Sequence, residues 1–145
     1  MAVKQIDVQE ASRILDTDPG CIYLDVRTES EFRNGHVPNA INIPVVLPSA
    51  GGMAPNPEFL KVVEANVGKE RKVIVGCQAG MRSQYAGDIM IQAEYVDVSN
   101  MQGGFGGARD TLGRTIAPGW VETGLPVEMK VDESNSYEAA RKRGK

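Results

Sequence analysis

One stretch of the sequence joins a potential nucleophile to a potential anion-binding loop. Cys77 follows an apolar run, and the six residues after it are Gln78, Ala79, Gly80, Met81, Arg82 and Ser83. In an open α/β sheet, ligands bind beyond the carboxyl ends of strands, where the next helix presents free amides and the positive end of its dipole. Such amides, with an arginine beside them, favour the thiolate, which is the reactive form of cysteine. We therefore expect Cys77 to be a nucleophile and residues 78–83 to bind an anionic substrate.

The length of this loop separates two kinds of cysteine chemistry. Gly80 lets the loop curl so that its N–H groups converge on one point. Four residues separate Cys77 from Arg82, one fewer than in the cysteine phosphatases, and this shorter loop disfavours a phosphatase or an arsenate reductase. A structural cysteine beside an ordinary turn is the alternative. It is disfavoured because strand, cysteine, glycine, arginine and helix follow one another in the required order.

Two charged residues end an earlier apolar run, over residues 21–26. Asp25 and Arg27 either touch the substrate or form an ion pair that holds the strand end and its loop, and the ion pair is the favoured interpretation. We keep both as supporting site residues. His36 lies in a Gly-His-Val-Pro turn, where a hydrogen bond that fixes the loop is a better explanation than a role as a base for Cys77.

Cys21, Arg109 and Arg114 carry less information about function than the Cys77 loop does. Cys21 opens a strand and has no neighbouring glycine–arginine loop, so we expect a buried structural thiol. Arg109 and Arg114 lie in the Gly-rich stretch of residues 103–119. They either attract an anionic donor to the cleft or solvate a flexible loop, and the sequence favours neither.

The elements that must position these residues alternate between strands and helices. Helical patterns or turns cover residues 7–15, 28–32, 56–66 and 81–93, and short apolar strand patterns cover residues 21–26, 71–76 and 95–98. The Gly- and Pro-rich stretch of residues 47–57 is expected to be loop. This alternation predicts a three-layer α/β domain around a mainly parallel sheet. We expect the domain to end near residue 130, followed by a charged, flexible tail over residues 131–145.

Composition excludes several classes of protein. The 145 residues include 16 Lys and Arg against 19 Asp and Glu, for a net charge of −3, and 41% are hydrophobic. A core can therefore form, whereas the concentrated basic face of a nucleic-acid binder is not indicated. Two cysteines cannot make a disulfide scaffold, and a single histidine disfavours a His/Cys zinc site. The amino terminus lacks a secretory pattern and no run approaches the roughly 20 apolar residues of a membrane span, so we expect a cytoplasmic protein with no membrane partner.

Several motifs together resemble the rhodanese (thiosulfate sulfurtransferase) family. Cys77, Gly80 and Arg82 match its active-site loop pattern Cys-x-x-Gly-x-Arg. The amino-terminal signature is matched by residues 24–27, by Glu31 with Phe32, and by residues 35–44; residues 100–104 match the Gly-Gly element after the last strand. The resemblance spans residues 1 to about 128 and implies a single-domain rhodanese fold, with helices on both faces of the sheet. It departs from the pattern at Trp120, which follows the Gly-Gly pair only after an insertion.

The resemblance implies a ping-pong sulfur transfer through a persulfide. The Cys77 thiolate would take the sulfane sulfur of thiosulfate or a similar anionic donor, and cyanide or a thiol, including a protein thiol, would then remove it. The implied reaction needs no cofactor and no metal. Two alternatives stay open: a non-catalytic rhodanese-like binding module, and a persulfide carrier that serves a protein partner.

Overall fold

Short strands and helices alternate along the chain, as a computed structural model of residues 2–144 shows. The strands are β1 (Lys4–Ile6), β2 (Ile22–Asp25), β3 (Ile41–Asn42), β4 (Val46–Ser49), β5 (Gly52–Pro55), β6 (Lys72–Gly76), β7 (Asp97–Met101), β8 (Ala108–Arg109) and β9 (Thr115–Ala117). The helices are α1 (Val8–Thr17), α2 (Glu29–Arg33), α3 (Phe59–Asn66), α4 (Met81–Gln92) and α5 (Tyr137–Arg143). Within residues 2–144, no helix has the length and apolar character to cross a membrane.

Five strands form a parallel sheet in the order β1–β7–β6–β2–β3. β6 is central, and its register aligns Gly76 with Asp25 of β2 and Val75 with Asn100 of β7. The carboxyl ends of these three strands therefore meet at one edge of the sheet. The loop that begins with Cys77 leaves the sheet at this edge, between Asp25 and Asn100.

Helices cover both faces of the sheet, as expected for a three-layer α/β domain. On one face, Val63 of α3, Met90 of α4 and Ala140 of α5 are buried in one apolar cluster. On the other face, Ala11 of α1 and Phe32 of α2 are buried in a second cluster. The strands supply both clusters because their side chains alternate between the faces. The predicted fold class is confirmed.

Local sequence signals explain where the first two helices begin. The Asp7 side chain accepts a hydrogen bond from the Glu10 N–H at 2.8 Å and so caps α1. Thr28 and Glu31 form a reciprocal capping box at the start of α2. Because both signals lie within four residues of the helix start, they act before any tertiary contact exists.

The carboxyl terminus differs from the expected flexible tail. Ser136 caps α5 by accepting the Ala139 N–H at 3.2 Å, and Tyr137 is buried against the core. The Tyr137 hydroxyl accepts a hydrogen bond from Asn56 at 2.9 Å, and Asn66 donates to the Ala140 carbonyl at 3.0 Å. The expectation was wrong for this segment because the charges of α5 lie on its outer side, while its two buried residues, Tyr137 and Ala140, face the core beside α3.

Three strand expectations also need correction. The stretch expected to be loop contains the antiparallel hairpin β4–β5, in which Gly52 takes a φ of +117° at the turn. β1 was missed, and the last strand of the sheet was expected over residues 95–98 but runs over Asp97–Met101. These strands are set by pairing with distant neighbours, such as Lys4 with Ser99, and such pairing leaves no signal in a short window of sequence.

Candidate active site

Cys77 lies at the carboxyl end of the central strand, directly after β6. Its side chain is buried, with 2% of the residue exposed. The backbone N–H of Gly80 points at its sulfur, with 3.0 Å between the nitrogen and Sγ. Such a donor stabilises negative charge on the sulfur without itself being ionised. The expected arrangement of the cysteine and its loop is therefore present.

Gly80 makes this hydrogen bond in a backbone conformation suited to glycine. Its φ of +109° lies in the left-handed region, and it is the residue that caps the amino end of α4. No side chain caps α4, so the free amides of its first turn face the loop. The amino end of a helix carries partial positive charge, which favours an anion at this place.

Ser83 lies on the other side of the sulfur, in the first turn of α4. Its hydroxyl oxygen is 3.3 Å from Sγ of Cys77 and 2.5 Å from Oδ1 of Asn100. Both Ser83 and Asn100 are buried. Ser83 was among the expected loop residues, whereas Asn100 was quoted only within a family motif and not as a site residue. Its position at the end of β7, beside the loop, was the signal that could have identified it.

Arg82, the one charged residue of the loop, is paired with Glu31 of α2. Its guanidinium donates to the two carboxylate oxygens at 2.7 and 2.9 Å. The hydrogen bond from Arg82 lowers the pKa of Glu31 to about 2, and Glu31 in turn raises the pKa of Arg82. Arg82 was expected to supply the main charge of the anion site. In the structure Glu31 compensates that charge, and the pair ties the start of α4 to α2.

Asp25 and Arg27 form a buried ion pair beside the loop, with 2.8 Å between Nη2 and Oδ2. Arg27 also donates to the Gly35 carbonyl at 2.7 Å and to Oε1 of Gln78 at 3.3 Å. Its guanidinium stacks on the ring of Phe105 at 4.5 Å. Asp25 and Arg27 therefore form the ion pair that was the favoured interpretation of these two residues. Arg27 also holds Gln78, the residue that follows Cys77 in the loop.

His36 contacts both its own turn and the distant residue Glu128. Nδ1 lies 2.8 Å from the Phe32 carbonyl, and the ring stacks on the Phe32 ring with centroids 3.7 Å apart. Nε2 lies 3.4 Å from a carboxylate oxygen of Glu128. The backbones of His36 and Glu128 also exchange hydrogen bonds. These contacts match the expected role of fixing the loop.

Cys21 differs from the expected buried thiol. It lies one residue before β2 and is only half-buried. Burial and the nearby carboxylate of Asp18 raise its pKa to about 11. Cys21 is consequently held as the neutral thiol at neutral pH, which is the unreactive form.

The Gly-rich stretch braces the first residues of the loop. Phe105 and Gly106 donate their N–H groups to the carbonyls of Cys77 and Gln78 at 2.8 and 2.9 Å. Gly104 passes so close that a Cβ on it would lie 2.5 Å from the Cys77 carbonyl oxygen. Only glycine allows this approach.

The insertion in this stretch forms the hairpin β8–β9. After the hairpin, Trp120 packs back against the domain. Its backbone N–H donates to the Gly104 carbonyl at 2.9 Å, and its ring is buried. Arg109 pairs with Glu122, and Arg114 pairs with Asp110. Arg114 therefore pairs within the hairpin, whereas Arg109 links the hairpin to Glu122, beyond its second strand.

No group of three or more His, Cys, Asp or Glu side chains in the described part of the chain is arranged to hold a metal ion. The chemistry that the arrangement can perform is that of an anionic sulfur held by amide and hydroxyl donors. A thiolate, or a sulfur bonded to it, fits this donor set.

Comparisons with known proteins agree with the fold. The model of the rhodanese-like domain family matches residues 7–110. Thiosulfate sulfurtransferase 16, chloroplastic, from Arabidopsis thaliana is 41% identical over 106 residues, which are 73% of this chain and 78% of that protein. Thiosulfate sulfurtransferase 18 from the same plant is 35% identical over 136 residues, covering 92% and 90% of the two chains.

Among solved structures, the crystal structure of Rv0390 from M. tuberculosis superimposes with a TM-score of 0.74 at 26% sequence identity. The match covers 90% of this chain and all of that one. The chain belongs to the rhodanese-like domain family.

Proposed function

We propose that the protein is a sulfurtransferase that moves a sulfane sulfur from thiosulfate, or a similar anionic donor, to cyanide or a thiol through a persulfide on Cys77. The observation that carries the proposal is the position of Sγ, 3.0 Å from the Gly80 N–H at the amino end of α4. Relatives named thiosulfate sulfurtransferase support sulfur transfer as the general activity.

In the first half-reaction, the Cys77 thiolate attacks the outer sulfur of thiosulfate. A new S–S bond forms, the S–S bond of thiosulfate breaks, and sulfite leaves with the bonding electrons. The negative charge then lies on the terminal sulfur of the persulfide. We expect the free amides of residues 78–83 to stabilise this charge, as backbone amides at the start of a helix do for other anions.

In the second half-reaction, the acceptor attacks the terminal sulfur and the Cys77 thiolate leaves. With cyanide the product is thiocyanate, and with a thiolate it is a new persulfide. The acceptors are already anions or become anions readily, so the cycle needs no general base. The protein contributes by holding charge on sulfur in both halves.

Contacts with neighbouring elements hold the loop in one conformation during both half-reactions. The Arg82–Glu31 ion pair ties the loop to α2. A hydrogen bond from Arg27 to Gln78 ties it to the end of β2, and the Gly-rich stretch holds the carbonyls of Cys77 and Gln78. A loop held at three points loses little conformational freedom when the anion binds.

The experiment that tests the proposal is intact-mass measurement after incubation with thiosulfate. We expect one added sulfur atom on the wild type and on Cys21→Ser, and none on Cys77→Ser. Cyanide or dithiothreitol should remove the added atom. An unchanged mass of the wild type, or thiosulfate-to-cyanide activity retained by a folded Cys77→Ser variant, would contradict the mechanism.

The identity of the acceptor needs a separate measurement. We propose that a thiol, on a small molecule or on a protein, is the acceptor, since cyanide serves chiefly as an assay reagent. The discharge rate of the isolated Cys77 persulfide with cyanide, with small thiols and with a thiol-bearing protein distinguishes these cases. If none of these acceptors removed the sulfur, the second half-reaction would be contradicted. The non-catalytic binding module would then be the favoured function.

A further inference from the structure

The hydroxyl of Ser83 has one proton and two neighbours that can accept it. Oδ1 of Asn100 lies 2.5 Å from Oγ, and Sγ of Cys77 lies 3.3 Å from it. A serine hydroxyl donates only one hydrogen bond at a time. The two acceptors therefore compete. A thiol sulfur is a weak acceptor and an amide oxygen a strong one, so the hydroxyl donates to Asn100 while Cys77 is protonated.

The orientation of the Asn100 amide is set by a second contact. Its nitrogen lies 3.3 Å from the carbonyl oxygen of Gly80, and a carbonyl oxygen can only accept. The amide nitrogen must therefore face Gly80, which places the amide oxygen toward Ser83. Gln5 of β1 accepts the other N–H of the same amide at 2.9 Å.

We propose that Asn100 is a positioning residue, which draws the Ser83 proton away from Cys77 and thereby limits the fraction of Cys77 that is thiolate. The assignment rests on the proposed role of Cys77 as the nucleophile. When Cys77 is a thiol, its S–H can donate to Ser83 while Ser83 donates to Asn100. When Cys77 is a thiolate, Ser83 can turn to the sulfur only by leaving the buried Asn100 oxygen without a donor. A buried acceptor without a partner costs free energy.

This competition has a consequence for sulfur transfer. A thiolate that is less stabilised is less abundant, but it is also a stronger nucleophile. Once the persulfide has formed, the charge has moved to the terminal sulfur, and Ser83 can remain with Asn100. The competition for the Ser83 proton therefore costs less in the persulfide than in the thiolate, which favours loading of the sulfur.

Other ionisable groups act on the same sulfur and must be held constant in a test. The ionisable group on α4 that acts on the sulfur is Arg82, whose charge is compensated by Glu31 of α2. On β2 it is Tyr23, whose pKa burial raises well above its usual value, together with the Asp25–Arg27 pair. The end of β7, with Ser99, Asn100 and Met101, carries no ionisable side chain. Asn100 can therefore be changed without altering the charge of the site.

The experiment measures the rate of alkylation by iodoacetamide as a function of pH. A Cys21→Ser background ensures that Cys77 is the thiol that is alkylated. Asn100→Ala releases the Ser83 proton to the sulfur. We expect the midpoint of the profile to fall by about one pH unit, which is about tenfold more thiolate below the midpoint. Asn100→Leu, which keeps more of the side-chain volume, should shift the midpoint in the same direction.

Two controls separate this effect from a structural one. In a Ser83→Ala background, Asn100→Ala should leave the midpoint unchanged, because the shared hydroxyl is absent. Gln5→Ala, which removes an outer partner of the amide and leaves Ser83 untouched, should also leave it unchanged. An unchanged or raised midpoint in Asn100→Ala, or the same fall with and without Ser83, would overturn the proposal.

Ser83→Ala alone tests the assignment even if the Asn100 variants fail to fold. Because Asn100 holds the proton in the wild type, removing the hydroxyl should move the midpoint by much less than one pH unit. A rise of about one unit or more would show that Ser83 donates to the sulfur, and would refute the assignment. None of these measurements depends on sulfur transfer. Failure of the persulfide experiment and failure of this proposal are therefore distinct results.

Discussion

The guanidinium of Arg82 donates to both carboxylate oxygens of Glu31, at 2.7 and 2.9 Å, so the only charged side chain of the loop is compensated by a residue of α2. The anion site consequently depends on oriented dipoles more than on net charge. The Gly80 N–H and the amino end of α4 provide those dipoles. Fixed dipoles of this kind stabilise charge without reorganising during the reaction.

The Arg82–Glu31 pair predicts a pH-dependent contribution to stability. The folded-state pKa of Glu31, about 2, lies below its ordinary value of 4.5. Its contribution is therefore complete above about pH 4.5 and is lost as the pH falls toward 2. Urea unfolding should show Glu31→Gln to be less stable than the wild type at pH 7, and the difference should shrink as the pH approaches 2. A difference that stays constant over this range would contradict the pairing in solution.

Gly80→Ala should weaken the site through backbone geometry alone. A Cβ on Gly80 has no neighbour closer than 3.6 Å, so the cost comes from its φ of +109° and is about 1–2 kcal/mol. Relaxing that angle turns the N–H away from Sγ of Cys77, so we expect the kcat/KM for thiosulfate to fall about tenfold or more.

The matched control for this change is Gly113→Ala. Gly113 has a φ of +80° and open space around it, at the turn of the β8–β9 hairpin. It should lose a similar amount of stability in thermal unfolding and keep its kcat/KM. Equal loss of activity in both variants would show that strain, and not the N–H, is responsible.

Met81 offers a test of the charge that the donor carries. It lies within the loop and is 83% exposed, so a charged side chain there costs little stability. Met81→Lys should lower the KM for thiosulfate a few-fold and Met81→Glu should raise it, with both effects shrinking in high salt. The same pair of changes at Val96, which is exposed and directly precedes β7 at the opposite edge of the sheet, should leave the KM unaltered. Steady-state kinetics at two salt concentrations would decide between these outcomes.

Tyr137→Ala tests whether α5 is part of the domain. Tyr137 is buried and its hydroxyl accepts a hydrogen bond from Asn56. Its truncation should cost about 3 kcal/mol of unfolding free energy, measured in urea. The exposed neighbour Glu138→Ala should change it by less than about 0.5 kcal/mol. If Tyr137→Ala were as stable as the wild type, the helix would not be docked in solution.

Short-range signals account for the parts of the structure that were predicted. The helix starts at Asp7 and Thr28, and the loop from Cys77 to Arg82, each depend on residues within a few positions of one another. Hydrogen bonds over such short separations act on local conformation, so the residue types alone reveal them. The buried central strand was visible for a similar reason, because its apolar run is continuous.

Contacts between distant residues account for the parts that were not predicted. Arg82 and Glu31 are 51 positions apart, and Asn100 is 17 positions from Ser83. The helix at the carboxyl terminus carries a charged outer side, which resembled a tail because only Tyr137 and Ala140 face the core. The packing of the helices on the sheet decides which polar side chains form hydrogen bonds with one another.

The sequence by itself determined the cysteine and glycine–arginine loop motif, the parallel α/β fold and the family. Those features depend on residue type and spacing along the chain, which folding does not alter. Only the tertiary structure decided that Glu31 compensates Arg82, that the Ser83 hydroxyl lies within reach of both Cys77 and Asn100, and that α5 completes one face of the sheet. The physical reason is that the charge and hydrogen bonding at a site depend on distances through space, which are set when the layers pack.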